Sequence, residues 1–202
     1  MNVYCDRAAH TYTLDGVLAP SVTDIIDAVH PLVIPEWARA SFEWKGILGS
    51  AVHALIAADL LGRPTPIHDF EPAVAHAASR YFQSFLAARS ALAWGEVEAI
   101  EVIVASARLW FAGTLDAMIQ ARPGRVLCDW KTWATWDAVR ARRQIGGYVV
   151  GWEESHPELP VDECWGFHLG RDGEWKLHRY EPHVCRAEFL DDCLQPYKER
   201  SR

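Results

Sequence analysis

The stretch GRVLCDWKTW, residues 124–133, combines the pattern of a buried β-strand with two charged side chains. The apolar run 126–128 and Trp130 suit the interior of a sheet. Asp129 and Lys131 lie one residue apart within the same run, where a buried charge is costly unless it is paired or coordinated. The stretch therefore predicts a core strand that also carries an ion pair or a functional site.

The composition predicts one soluble domain spanning residues 1–202. The chain has 202 residues, of which 50% are apolar and 23% are charged, as in ordinary globular proteins. The start MNVYCDRAAH lacks the pattern of a signal peptide. The longest apolar stretch, residues 46–62, is short for a membrane span and contains His53 and Asp59. We therefore expect a cytoplasmic protein with no membrane partner.

Hydrophobic periodicity predicts helices first and then alternating strands and helices. We expect a helical N-terminal part at about 21–95, a sheet core at about 96–180 and a C-terminal helix at about 184–198. The fold class is then α/β (α+β), with a mixed central β-sheet that contains an antiparallel three-strand meander and is flanked by helices. The predicted helices are 35–61, 71–92, 137–153 and 184–198, and the predicted strands are 97–106, 108–121, 125–133, 161–170 and 174–181.

The segment before these helices has the pattern of a hairpin followed by a capped helix. Asp15 and Gly16 are a turn signal between two short strand-like runs. Ser21 is a suitable N-cap, and Asp24 stands three residues later, where a capping box needs an acceptor. We expect a hairpin and then a helix beginning just after Ser21.

A strand register follows if the turn 122–125, RPGR, is a type II turn. Pairing Arg122 with Arg125 places Asp116 opposite Lys131, and Asp129 on the same face of the sheet, opposite Met118. The opposite face would collect Leu115, Ala117, Ile119, Val126, Cys128 and Trp130.

The preceding turn, near residues 106–107, allows a second register to be counted. It places Glu101 opposite Ala112, on the same face as Asp116. Three acids packed together repel one another unless a divalent cation neutralises them, and oxygen ligands suit magnesium or manganese. A neighbouring Lys131 can stabilise negative charge on a phosphate. The alternative is an ordinary cross-strand salt bridge between Asp116 and Lys131.

Several motifs resemble one nuclease superfamily in their order along the chain. They are GTLD at 113–116, DWKT at 129–132 and QIGGY at 144–148, with GSAVH at 49–53 before them and an opening segment at 10–26. Together they resemble the PD-(D/E)XK nuclease superfamily, in particular the phage-type members of its RecB-like exonuclease branch. The resemblance implies a restriction-endonuclease-like core, one or two Mg²⁺ or Mn²⁺ ions, and the bacterial host cytoplasm if the protein is phage-encoded.

The resemblance also implies roles for individual residues. Asp116 and Asp129 would bind the metal, and Lys131 would be the catalytic lysine. The further metal ligands that it implies are His53, Glu101 and the main-chain carbonyl oxygen of Trp130.

The helix after the lysine strand is the predicted DNA-binding element. Gln144 and Tyr148 match the family's QxxxY motif, which supports the site and contacts DNA. Arg140, Gln144 and Tyr148 are spaced four residues apart and share one helix face, with Arg143 nearby in the most basic segment of the chain. The alternative is a solvated amphipathic helix with Tyr148 in the core.

The five cysteines predict neither a disulfide framework nor a metal–sulfur centre. Some relatives in the family hold an iron–sulfur cluster with one N-terminal and three clustered C-terminal cysteines. Here the last three lack the close spacing that such ligation needs. We therefore expect no iron–sulfur cluster from Cys5, Cys164, Cys185 and Cys193.

The sequence thus predicts a divalent-metal-dependent DNA nuclease, specifically an exonuclease in phage or prophage DNA recombination or repair. Its partners would be DNA and a recombination partner protein. The alternative is a non-catalytic DNA-end-binding or protein-docking module on the same fold, which the net charge of −7 favours because it disfavours electrostatic attraction to DNA.

Overall fold

The computed structural model describes residues 1–6, 11–92, 94–122 and 124–200. Its strands are β1 (Val3–Asp6), β2 (Thr11–Leu14), β3 (Val17–Ala19), β4 (Trp94–Ser106), β5 (Phe111–Ala121), β6 (Gly124–Lys131), β7 (Glu163–Leu169) and β8 (Trp175–Tyr180). Its α-helices are α1 (Val22–Val29), α2 (Arg39–Leu60), α3 (Pro72–Ala91), α4 (Ala138–Ser155), α5 (Pro182–Phe189) and α6 (Gln195–Arg200). Within these ranges no helix is long and apolar enough to cross a membrane.

The central sheet is mixed, as the sequence predicts. Its five strands lie in the order β4-β5-β6-β7-β8. The first three form an antiparallel meander, β6 and β7 are parallel, and β8 returns antiparallel to β7. Helix α4 makes the crossover between the two parallel strands, which a short turn cannot provide. The predicted mixed α/β class with an antiparallel three-strand meander is confirmed.

Helices cover both faces of this sheet and bury two apolar cores. One core lies between the sheet and α1, α4 and α5, and it includes Ile25, Tyr148 and Phe189. The other lies between the sheet and α2 and α3, and it includes Leu55 and Phe85. Each strand of the meander therefore needs apolar side chains on both of its faces, which explains why charged side chains are so conspicuous there.

A second sheet precedes the helices. Strands β1, β2 and β3 are antiparallel neighbours, and the turn at Asp15 and Gly16 joins β2 to β3. The sequence predicted that hairpin but not β1. Ser21 caps α1 through a capping box: its hydroxyl accepts the N–H of Asp24, and the Asp24 carboxylate accepts the N–H of Ser21. This predicted cap is confirmed.

The predicted register between β5 and β6 is wrong by two residues. Gln120 pairs with Arg125 and Ala117 with Cys128, so Asp116 does not lie opposite Lys131. The type II turn on which that register depended includes Pro123, which lies outside the described residues. A shift of two residues preserves the face that each side chain occupies, so Asp129 and Lys131 still lie together on one face of β6.

The predicted register between β4 and β5 is also wrong. Val102 pairs with Leu115 and Ile100 with Ala117, so Glu101 falls beside Asp116 rather than opposite Ala112. The backbone of Glu101 has a φ of 48°, a left-handed conformation that interrupts the regular alternation of side chains.

The side chains that were predicted to share one apolar face are divided between the two cores. Leu115 belongs to the core under α4, whereas Ala117 and Ile119 belong to the core under α2 and α3. The other three predicted members of that face, Val126, Cys128 and Trp130, lie with Ala117 and Ile119.

The predicted C-terminal helix is divided into segments. A π-helical turn, Leu190–Leu194, separates α5 from α6, and it follows directly on Phe189. Gly146 of α4 lies against α5, where a Cβ on this glycine would stand 2.0 Å from the carbonyl oxygen of Cys185. The absence of a side chain at Gly146 therefore sets how closely α4 and α5 approach.

We expect Gly146→Ala to lower the free energy of unfolding by about 1–3 kcal/mol, because the added methyl forces two packed helices apart. Gly46→Ala is the control, because a Cβ there meets nothing within 4 Å and alanine is the better helix former. Urea denaturation of both variants measures the difference. A Gly146→Ala protein as stable as the parent would contradict the proposed close contact.

Candidate metal centre

Three potential metal ligands converge from three different elements. His53 comes from α2, Glu101 from β4 and Asp116 from β5, and one ligand atom from each lies within 4.8 Å of the others. The sequence predicted all three as ligands. Two carboxylates and an imidazole form a donor set suited to a divalent cation such as Mn²⁺ or Mg²⁺.

The ring of His53 is held by both of its nitrogen atoms. Nε2 lies 3.0 Å from the main-chain carbonyl oxygen of Trp130, which can only accept, so Nε2 carries the proton of that bond. Nδ1 faces the carboxylates, 3.3 Å from Asp116 Oδ1 and 3.7 Å from Glu101 Oε1. The carbonyl oxygen of Trp130 thus orients the imidazole of His53, as the outer partner of a metal-binding histidine does. Its predicted role as a metal ligand in its own right stays a prediction.

The electrostatics of His53 suit a cation site. Burial lowers the pKa of this imidazole, but the neighbouring carboxylates of Asp116 and Glu101 outweigh that effect and raise the pKa to about 10. In the metal-free protein the proton on Nδ1 therefore supplies the positive charge that the two acids require. A divalent cation bound to the same nitrogen would replace that proton.

Asp116 is fixed by the strand next to it. Its Oδ2 accepts the main-chain N–H of Trp130 at 2.8 Å, which leaves Oδ1 directed at His53. Burial raises the pKa of Asp116, but the positive charges of His53 and Lys131 more than compensate and the pKa is lowered. The carboxylate is therefore ionised and preorganised to bind a cation.

Asp129 and Lys131 form an ion pair within β6. Lys131 Nζ donates to Asp129 Oδ1 at 2.7 Å, and both side chains are buried. The alternative of a salt bridge between Asp116 and Lys131 is not what the structure shows. Burial raises the pKa of Asp129 to about 6, with the charge of Asp116 adding to the rise and Lys131 opposing it.

The second carboxylate oxygen of Asp129 is consistent with cation binding near the cluster. Oδ2 is buried and has no hydrogen-bond partner among the described residues. A buried carboxylate oxygen left without a partner is costly, and coordination to a cation is one way to satisfy it. Asp129 is outside the cluster of His53, Glu101 and Asp116, so its predicted role as a metal ligand stays a prediction.

The strained backbone of Glu101 is part of the site. A non-glycine residue at a φ of 48° costs about 1–3 kcal/mol unless its surroundings compensate. The Glu101 carboxylate lies beside Asp116, with Oε1 3.7 Å from His53 Nδ1. We infer that the fold retains this strain to orient a third acid.

The cluster opens onto a cleft of about 720 Å³. The small N-terminal sheet forms one wall, and α1, α2 and α4 form the others. Tyr12 hydrogen-bonds Thr114 at 2.9 Å across the cleft floor, a contribution that the sequence-based selection of site residues missed. The alternation in β2 was the available signal, since it places Tyr12 and Leu14 on the buried face.

The predicted DNA-binding residues of α4 divide into two groups. Gln144 and Tyr148 line the cleft, and Gln144 Nε2 donates to the Tyr148 hydroxyl at 2.7 Å. The Tyr148 ring is largely buried, so burial and the nearby Asp129 and Asp116 charges raise its pKa well above the usual value. Tyr148 therefore lines the cleft, as its predicted role requires, and its ring also packs in the core, as the alternative proposed.

Arg140 and Arg143 are engaged elsewhere. Arg140 pairs with Asp27 of α1, and Arg143 pairs with Asp192 at 3.1 Å. Neither residue lines the cleft. Their charges are therefore largely neutralised within the protein, which the sequence did not indicate because the acidic partners are remote along the chain.

The four cysteines that were compared with those of cluster-binding relatives lie in two different parts of the structure. Cys5 lines the cleft from β1. Cys164, Cys185 and Cys193 are buried in the core beneath α4. The expectation that they hold no iron–sulfur cluster stays a prediction.

In comparisons with known proteins, no family model matches the chain and no curated protein is significantly similar to it. The functional argument therefore depends on the geometry of the cleft.

Proposed function

We propose that the protein is a divalent-metal-dependent DNA nuclease, with a restriction-endonuclease-like core and His53, Glu101 and Asp116 as its metal ligands. The observation that carries the proposal is the convergence of these three ligands beside a buried acid–lysine pair in one open cleft. The ordered motifs around Asp116 and Lys131, which resemble the RecB-like exonucleases, favour hydrolysis of a phosphodiester over other metal chemistry.

Each residue has a distinct part in this proposal. A bound Mg²⁺ or Mn²⁺ would polarise a phosphoryl oxygen and make its bound water more acidic. Lys131 supplies a positive charge at the cleft wall that can stabilise charge developing on the phosphate. Asp129 holds the lysine amine in place, and the N–H of Trp130 holds Asp116. Gln144 and Tyr148 present polar groups from the opposite wall.

A degradation assay tests the proposal directly. The protein is incubated with end-labelled linear duplex, single-stranded and circular DNA, each with Mg²⁺, with Mn²⁺ or with a chelator. We expect loss of label from linear DNA only with a metal, and little cleavage of circles if the enzyme is an exonuclease. Calorimetric titration with Mn²⁺ accompanies the assay. No cleavage of any substrate with either metal would contradict the proposal.

A non-catalytic DNA-end-binding or protein-docking module is the second candidate. The internal pairing of the α4 arginines favours its protein-docking form, since it leaves little free positive charge to hold a polyanion. The same pair of experiments separates the candidates, because a binding module would bind Mn²⁺ or DNA without degrading it.

A further inference from the structure

The N-terminal part of α2, with the segment before it, presents an uncovered apolar surface, which we call the apolar arm (residues 32–47). Every residue from Arg39 to Ile47 is exposed, and Leu48 is the first buried residue of the helix. Before the helix, Val33 is 89% exposed and Trp37 is 87% exposed. Contiguous exposed apolar surface of this kind marks an interaction site, whereas isolated exposed residues do not.

Some of the apolar side chains of the arm lie along one face. Ala40, Trp44 and Ile47 share this face of α2, and Trp37, in the helical turn just before α2, continues the stripe at the same spacing, whereas Phe42 lies on the opposite face. The small side chain of Ala40 lies between two indoles and leaves a gap on the stripe. A bulky side chain from a second helix fits such a gap, since helices pack closely where small residues oppose large ones.

The charges on the apolar arm are balanced. Two acids, Glu36 and Glu43, accompany two bases, Arg39 and Lys45, in a chain whose net charge is −7. A balanced patch does not attract a polyanion such as nucleic acid. Arg39 pairs with Glu36 of its own chain at 2.9 Å, but both side chains are largely exposed, so this pair contributes little and leaves the guanidinium able to meet a second acid. Arg39 and Glu43 lie on the same flank of the stripe, one turn apart, and charges placed in this way are complementary to a second copy of the same helix running in the opposite direction.

We propose that the apolar arm is a self-association surface, on which a second copy of this chain docks with its α2 antiparallel about a twofold axis. In this arrangement Trp44 of each copy packs over the partner's Ala40, and Arg39 of each copy meets the partner's Glu43. Such an interface is isologous and closes as a dimer. The inference does not depend on the proposed nuclease activity, because none of the arm residues belongs to the metal centre.

Sedimentation equilibrium across the micromolar range tests the proposal. We expect a dimer for the parent chain and a dissociation constant raised by about 100-fold or more in Trp37→Ala/Trp44→Ala, since buried indoles dominate interface energies. Trp110→Ala is the control, because Trp110 is 40% exposed and lies in the turn between β4 and β5, where its Nε1 donates to the carbonyl oxygen of Leu18. Its dissociation constant should equal that of the parent.

A charge reversal tests the antiparallel arrangement itself. Arg39→Glu should weaken the dimer, and Arg39→Glu/Glu43→Arg should restore it, because the exchange recreates both intersubunit pairs. Thermal unfolding confirms that the variants are folded, which their exposed positions favour. A parent chain that stays monomeric overturns the proposal, even if it binds lipid vesicles or another protein. Equal weakening by Trp110→Ala, or no recovery in the double reversal, also overturns it.

Discussion

Asp116→Asn is expected to abolish tight Mn²⁺ binding and to lower metal-dependent DNA cleavage by about 1,000-fold or more, because it removes a charged ligand at the centre of the cluster. The amide can still accept the N–H of Trp130, so the fold should persist. Calorimetric titration and the degradation assay measure the two losses separately.

Asp69→Asn is the matched control for this substitution. Asp69 is exposed and does not line the cleft, so the same chemical change there should leave both measurements at the parent values. A folded Asp116→Asn protein that still binds Mn²⁺ and cleaves DNA at the parent rate would exclude Asp116 as a ligand. Loss of cleavage in both variants would indicate a general effect of the preparation.

Lys131→Met is expected to lower the free energy of unfolding by about 3–5 kcal/mol near neutral pH, because it leaves the buried carboxylate of Asp129 without its counter-charge. The pKa of Asp129 already stands at about 6 and should rise further without the lysine. When a carboxyl group has a higher pKa in the folded state than in the unfolded state, the free energy of unfolding falls as the pH rises above the unfolded-state pKa. The penalty should therefore be larger at about pH 8 than at about pH 5.

The double variant Asp129→Asn/Lys131→Met should regain most of that stability, since neither member of the pair then carries a charge. Lys176→Met, at an exposed position on β8, is the control and should be neutral. Urea denaturation at both pH values measures all of these proteins. Additive losses in the double variant would show that the two side chains do not form the buried pair. DNA cleavage should be lost in both variants that lack Lys131.

The sequence predicted which residues are candidate metal ligands, but it did not predict which side chains contact one another around them. His53, Glu101 and Asp116 were predicted as ligands and lie together. Lys131 was predicted to face Asp116 and instead donates to Asp129. The error came from the turn before β6, since a change of turn geometry shifts a register by two residues without changing which face a side chain occupies.

The arginines of α4 show a different limit. Their spacing on one helix correctly indicated a basic segment, and Gln144 and Tyr148 do reach the cleft. The acids that neutralise Arg140 and Arg143 come from α1 and from the turn after α5, more than forty residues away in each case. No local pattern reports such pairs, because they form only when separate helices pack on the same face of the sheet.

The sequence by itself determined the elements of this protein: strand alternation, helix periodicity, the capping box at Ser21 and the acid–lysine motif on β6 are all local patterns. Only the tertiary structure decided which side chains meet. The strained Glu101, the histidine held by Trp130 and the ion pair of Lys131 depend on strand register and helix packing. These contacts join residues far apart in the chain, and they stabilise the protein only when the helices have packed on both faces of the sheet.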